Sequence, residues 1–330
     1  MKRRRFGASG EVFPVGFGCM SFGGFYGATT ESESLAALAH ALDLGVDFWD
    51  TANVYGEGLS ETRIGKFLAE DRTRRDKVVL ATKFGISRTA EGARTFDNSA
   101  AHMRESLEAS LKRLGVDRVD LYYVHRYDKR IPIEETVGEL SRHVKAGKIG
   151  AIGLSEIAPD TLRRAAAVHP IAAVQSEYSL WTRGPELGLI QACEEVGALM
   201  VAFSPLGRGY FSGLLQGVET FSEKDFRAVN PRFTGLNWRR NRDRLKAYLD
   251  LANRWAVSPS TLAIAWALAR APNVLPIPGT RTAAHLAECA AAADLALAPE
   301  QMAELARVMP AGFAAGERYT DAQWVGIEKY

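Results

Sequence analysis

The stretch MRESLEASLKRLGVDRVDLYYV, residues 103–124, holds one complete helix–turn–strand unit, and its reading organises the chain around it. Met103, Leu107, Leu111 and Leu114 share one helical face, and Gly115 supplies a left-handed stop. The β-branched and aromatic run at 119–124 then reads as a buried strand. The same alternation recurs, with further strands expected at 15–18, 46–49, 78–82, 149–154, 172–175, 199–203 and 274–277. Leu35, Leu38, Ala39 and Leu42 form another helix face behind a Thr30–Glu33 capping box. Ser258 and Pro259 open a third helix as N-cap and first-turn proline. Alternating elements of this kind imply parallel strands joined by helices. Eight strands with eight crossovers is the count of a (β/α)8 barrel, which needs about 250 residues.

The chain has 330 residues, so additions to the barrel are expected. One is an N-terminal hairpin around Ala8-Ser9-Gly10 that plugs the barrel floor. A second is the stretch 207–255 after the seventh strand, and a third is a C-terminal extension after Asp294. No Pro/Gly/Ser linker, internal repeat or low-complexity segment divides the sequence, so residues 1–330 read as one domain. A doubly wound sheet is the other candidate, but Gly16-Phe17-Gly18-Cys19-Met20 is not the G-x-G-x-x-G pyrophosphate turn.

Composition excludes several classes of function. Hydrophobic residues make up 47% and charged residues 24%, as in a folded soluble protein. The charge of +2, from 41 basic and 39 acidic residues, gives no support to a nucleic-acid partner. Cys19, Cys193 and Cys289 are too scattered for a disulfide framework, which suits a reducing cytoplasm. The apolar run at 262–269 stops at Arg270, far short of the roughly 20 residues of a membrane span. Residues 6–10 offer no apolar stretch for a secretion signal. The histidines show no H-x-H or H-E-x-x-H spacing, so no metal is expected. Arg239, Arg240, Arg242 and Arg244 read as the solvated start of a helix rather than a phosphate site.

In a barrel the residues just past the strand C-termini converge on one mouth. Asp50, Lys83, His125, Ser155, Gln175 and Ser204 fall there, followed by Gly279-Thr280-Arg281. Tyr55, five residues past Asp50, is placed to swing back over the same mouth. A free tyrosine titrates near pH 10, so it needs a neighbouring cation to exchange protons at neutral pH, and Lys83 is that cation. Lys83 in turn needs an anion when desolvated, and Asp50 provides it. His125 is suited to donate to a carbonyl oxygen. A strand lysine also serves Schiff-base chemistry, but the adjacent Asp50–Tyr55 pair points to proton delivery onto a carbonyl oxygen instead.

At these positions the sequence resembles an aldo-keto reductase, from residue 15 to about 293. The matching motifs are Phe48-Trp49-Asp50-Thr51-Ala52-Asn53-Val54-Tyr55-Gly56, Thr82-Lys83-Phe84, Leu121-Tyr122-Tyr123-Val124-His125 and Gly153-Leu154-Ser155. They continue with Val174-Gln175-Ser176-Glu177-Tyr178-Ser179, Phe203-Ser204-Pro205-Leu206-Gly207-Arg208-Gly209 and Ile277-Pro278-Gly279-Thr280. The resemblance implies a (β/α)8 barrel that binds NADP(H) without a Rossmann turn and reduces a small carbonyl compound. Asp50, Tyr55, Lys83 and His125 would be its catalytic tetrad, with Tyr55 the general acid. Ser155 and Gln175 match the nicotinamide carboxamide site. Phe203 matches the stacking ring, where a Tyr is usual, and Ser204, Leu206 and Gly209 match the pyrophosphate loop. Gly279, Thr280 and Arg281 match the 2′-phosphate site, while His285 and Glu288 match the adenine end. Cys289 stands where many members have Asn. Ser155-Glu156 replaces the commonest Ser-Asn pair, as in a bacterial-type branch. Phe25, Tyr26 and Trp181 fall in mouth-side loops and are expected to wall the substrate pocket. The competing class is a regulatory NADP(H)-binding protein, because channel β-subunits share the barrel. The fourteen residues before the first strand read as the floor hairpin rather than a docking segment.

Overall fold

Two short strands, β1 (Arg4–Arg5) and β2 (Glu11–Val12), pair antiparallel at the N-terminus. The computed structural model describes residues 2–7, 10–89, 93–215, 217–218, 221 and 225–329. These strands are the arms of the expected hairpin, whose tip residues Ala8 and Ser9 lie outside the described residues. The chain continues through β3 (Phe17–Gly18), β4 (Phe48–Asp50) and β5 (Val79–Phe84). An antiparallel pair, β6 (Ile86–Arg88) and β7 (Arg94–Phe96), follows. The remaining strands are β8 (Val119–Val124), β9 (Ile149–Ser155), β10 (Ile171–Glu177), β11 (Leu199–Phe203) and β12 (Val274–Ile277).

The sheet order is β12-β11-β10-β9-β8-β5-β4-β3, all neighbours parallel. The ring closes where Gly16 N–H donates to Pro276 O at 2.9 Å and Gly18 N–H donates to Pro278 O at 3.0 Å. Here lies the reason for the paired glycines. A Cβ on Gly18 would lie 2.9 Å from the Ile277 carbonyl oxygen, and one on Gly16 would lie 2.8 Å from Ile277 Cγ2. The glycines permit the seam between first and last barrel strands, in place of any phosphate turn.

Helices α1 (Glu31–Asp43), α2 (Leu59–Glu70), α3 (Ala100–Leu114), α4 (Ile133–Lys145), α5 (Pro159–Val168) and α6 (Leu189–Val196) pack outside the ring. They are followed by α7 (Gly235–Arg254), α8 (Pro259–Leu268), α9 (Ala283–Ala290) and α10 (Pro299–Val308). The Thr30–Glu33 capping box forms at α1, Gly115 closes α3 in a left-handed conformation, and Ser258 caps α8. α7 carries the arginine cluster at 239–244 on an exposed face. Among the described residues no helix is long and apolar enough to cross a membrane.

Side chains fill the barrel. Phe6 and Val12 rise from the hairpin against Phe48, Leu121, Val201 and Leu275, so the floor is plugged as the sequence suggests. Phe6 is buried and meets Phe48 edge-on at 6.0 Å. Phe6→Ala should therefore cost about 3–5 kcal/mol, because the closed floor cannot collapse onto the void. A urea-unfolding midpoint unchanged by the substitution would contradict this account.

Candidate active site

The strand C-termini open into one cavity of about 1010 Å³. β5 runs two residues past its expected end, because its parallel ladder with β8 continues through Lys83–Tyr123 and Phe84–Val124. Lys83 thus sits inside the barrel, fully buried, directly beneath the cavity. Its ammonium donates to Asp50 Oδ1, to the Thr51 carbonyl oxygen at 2.8 Å and to Tyr55 Oη at 3.3 Å. Gln175 Nε2 donates to the other Asp50 oxygen at 2.8 Å. Asp50, Tyr55 and His125 line the cavity wall. The Tyr55 loop is pressed into place by glycine: a Cβ on Gly23 would lie 2.5 Å from Gly56 N. The His125 ring meets Tyr55 edge-on at 5.8 Å and 84°.

Burial sets the proton states. It pushes the Asp50 carboxyl up from the usual carboxylate value, and Lys83 and Gln175 oppose it by placing one donor on each oxygen. Burial also works against the Lys83 ammonium, but Asp50 and Tyr55 outweigh it and hold Lys83 above an ordinary lysine. Tyr55 is raised above the ordinary tyrosine value by burial, with Lys83 pulling the other way. From the sequence, the ammonium is expected to lower this phenol; in the structure desolvation is larger, and Tyr55 rests as a protonated acid. His125 is held well below the usual histidine value, first by burial and then by the Arg126, Lys83 and Arg94 charges. It is a neutral imidazole, and its Nδ1 is buried without a partner among the described residues.

Toward strands β9–β12 the wall is formed by Ser155, Gln175, Phe203, Ser204, Leu206 and Gly209. Gly279, Thr280, Arg281 and His285 complete this side. The 204–209 loop winds tightly, with Ser204, Gly207, Arg208 and Gly209 all at positive φ. Arg281 remains exposed and donates to the Ala28 carbonyl oxygen at 2.9 Å. Arg227, from the insertion after β11, also reaches this wall; it pairs with Asp225 and donates to the Arg208 carbonyl oxygen at 3.3 Å.

A family model described as the aldo/keto reductase family matches residues 14–309. The chain belongs to that family. It is 40% identical over 309 residues to an NADP(+) aldo-keto reductase of Schizosaccharomyces pombe, covering 92% of this chain and 91% of that one. It is 41% identical over 312 residues to a probable aldo-keto reductase of Glycine max, covering 94% and 89%. A solved glycerol dehydrogenase from Gluconobacter oxydans superposes with a TM-score of 0.84 at 28% identity, covering 93% of this chain and 94% of that one.

Three residues of this reductase stand away from the cavity wall. Trp181, expected to wall the substrate pocket, is buried instead: it stacks on Tyr210 at 4.2 Å with the Arg232 guanidinium 4.9 Å from its ring. Its large apolar surface is covered by neighbouring loops, whereas Phe25 and Tyr26 do line the cavity. The Glu288 carboxylate accepts from the Ser258 hydroxyl at the start of α8, so it supports a helix cap, while its neighbour Cys289 lines the cavity. Glu156 pairs with Arg318 of the C-terminal extension and accepts from the Glu177 backbone N–H at 2.8 Å. It anchors that segment, and Tyr319 and Gln323 from the same segment join the wall. Arg94, Arg126, Arg208 and Arg227 are also wall residues, and the sequence reading does not single them out. Arg126 follows His125 and Arg208 lies inside a quoted motif, so both carry a local signal; Tyr319 and Arg94 carry none.

Proposed function

We propose that this chain reduces an aldehyde or ketone to the alcohol with NADPH, with Tyr55 as general acid. The observation that carries the reading is the Lys83 ammonium held between Asp50 and Tyr55 under an open cavity. Because Tyr55 Oη accepts from Lys83, its own O–H is left for the cavity side, where a carbonyl oxygen would lie. Burial keeps that proton in place at neutral pH, and the adjacent ammonium stabilises the phenolate once the proton has gone. A neutral His125 has one N–H to aim at the carbonyl oxygen and fix its direction.

The wall from β9 to β12 fits a dinucleotide in its donor set. Ser155 and Gln175 bring a hydroxyl and an amide beside the tetrad, Phe203 offers a ring, and Arg281 offers a guanidinium at the far loop. When bound, NADPH supplies the hydride that the carbonyl carbon receives. The S. pombe relative's name carries the same cofactor. Steady-state NADPH oxidation with simple aldehydes tests the reading, and tight NADPH binding without turnover would support a regulatory binding protein instead.

Cofactor preference rests on Arg281. A charge-assisted contact to the 2′-phosphate is worth about 1.5–3 kcal/mol, or roughly 10–150-fold in affinity. Arg281→Ala should weaken NADPH by about that factor, leave NADH nearly unchanged, and show a smaller effect at high salt. Titration of both dinucleotides by quenching of tryptophan fluorescence reads this out. Equal losses for the two would mean that Arg281 matters only as a tether to Ala28.

A further inference from the structure

Besides Arg88 on β6, five arginines among the described residues line the cavity in two groups. On the β11–β12 side each is engaged by protein acceptors: Arg208 Nη2 on Glu177 at 2.8 Å, Arg227 on both Asp225 oxygens at 2.9 and 2.7 Å, and Arg281 on Ala28 O. On the opposite wall Arg126 finds only neutral acceptors. Arg126, only 7% exposed, donates from Nη1 to the His125 carbonyl oxygen at 2.7 Å and to Ser155 Oγ at 3.2 Å. Its Nε is buried with no acceptor among the described residues. Arg94, on β7, reaches the same cavity with its guanidinium 5.1 Å from the Phe96 ring. Among the described residues no carboxylate pairs with either guanidinium. The acids of the wall are Asp50, which is bound to Lys83, and Glu57, which forms no ion pair with them.

We propose that Arg94 and Arg126 form an anion subsite for the substrate, so that the preferred carbonyl compounds carry a carboxylate or a phosphate. This rests on the reductase reading above. The buried Arg126 guanidinium has no carboxylate partner among the described residues, which is costly, and a ligand anion removes that cost while exposed Arg94 adds a second cation. The planar fork of arginine matches both carboxylate and phosphate. Arg94, on the β6–β7 hairpin, stands away from the cofactor positions along β9–β12, and Arg126 lies between the two, adjoining His125 and donating to Ser155 Oγ at 3.2 Å. Partial desolvation and then the Arg126 charge lower Arg94 to about 10 although the residue stands exposed on β7, as expected of two cations facing one space. An anion bound there would sit a few bonds from a carbonyl held by Tyr55 and His125.

The test compares kcat/KM for matched pairs: 4-carboxybenzaldehyde against benzaldehyde, and glyceraldehyde 3-phosphate against glyceraldehyde. The wild-type protein should favour the charged member by roughly 10–150-fold, the range of one or two charge-assisted contacts. A preference in either series supports the subsite, and the larger one names the anion. Arg94→Gln should move that ratio toward one, mainly through KM of the charged member. Arg126→Lys, which keeps the charge and loses the fork, should reduce it partway. A wild-type ratio near one, with benzaldehyde still reduced, overturns the subsite and leaves the reductase reading standing. No turnover of any of the four by NADPH-bound protein overturns the reductase reading itself. NADPH dissociation constants are measured alongside, and a parallel loss of NADPH affinity in Arg94→Gln would assign these arginines to the cofactor and overturn the proposal.

Discussion

Tyr55→Phe should lower carbonyl reduction by 10²–10⁴-fold while NADPH affinity stays close to the wild-type value. The substitution removes one oxygen and its proton and keeps the ring, so the edge-on contacts with Phe25 at 5.9 Å and His125 at 5.8 Å persist. Lys83 loses its 3.3 Å contact to the hydroxyl but retains Asp50 and the Thr51 carbonyl, so the buried charge stays satisfied. The loss should therefore appear in kcat, with KM for the aldehyde changing little, because the group acts as the proton moves. Fluorescence titration with NADPH provides the control for folding and cofactor binding. Near-wild-type turnover would remove Tyr55 from the chemistry and move the acid to His125 or a water.

Much of this arrangement is legible in the amino-acid sequence, for a physical reason. Barrel strands bury both faces and read as short β-branched runs, and the mouth collects whatever polar residue ends each run. Asp50, Lys83, His125, Ser155 and Gln175 all follow from that rule. Gly16 and Gly18 read in sequence only as failing a phosphate motif, because the contact that demands them comes from Ile277 and Pro278, some 260 residues away. The β6–β7 hairpin leaves no period-two pattern, since its pairing, Ile86 with Phe96, Ser87 with Thr95 and Arg88 with Arg94, buries little. Trp181 misleads for the opposite reason. An aromatic in a mouth-side loop suggests a pocket wall, but the insertion that carries Tyr210 and Phe233 packs over it. Glu156 and Arg318 are 162 positions apart, and only the C-terminal extension folded back across the strand ends brings them together.

Lys83→Met should have the other large effect, on both stability and pH dependence. Lys83 is fully buried and is Asp50's ion-pair partner, so removing it leaves a desolvated carboxylate held by Gln175 alone. Breaking one side of such a pair typically costs 3–5 kcal/mol, whereas neutral replacement of both partners is often tolerated. Asp50→Asn combined with Lys83→Met should therefore recover much of the stability that Lys83→Met loses. Burial already raises the folded-state value of Asp50 above its unfolded one, and loss of the ammonium raises it further. A carboxyl raised by folding binds its proton more tightly in the native state. Hence the penalty is full above the folded value and shrinks as pH falls through it, so urea midpoints of the variant should rise on acidification. The catalytic signature runs through Tyr55. Lys83 is the group that pulls the phenol down against burial, so its removal lifts Tyr55 further above the ordinary tyrosine value. Alcohol oxidation needs the phenolate, and its rising limb in a pH–rate profile should begin at higher pH in Lys83→Met than in wild type. A profile that falls in amplitude without moving in Lys83→Met itself would make Lys83 a structural counter-ion only.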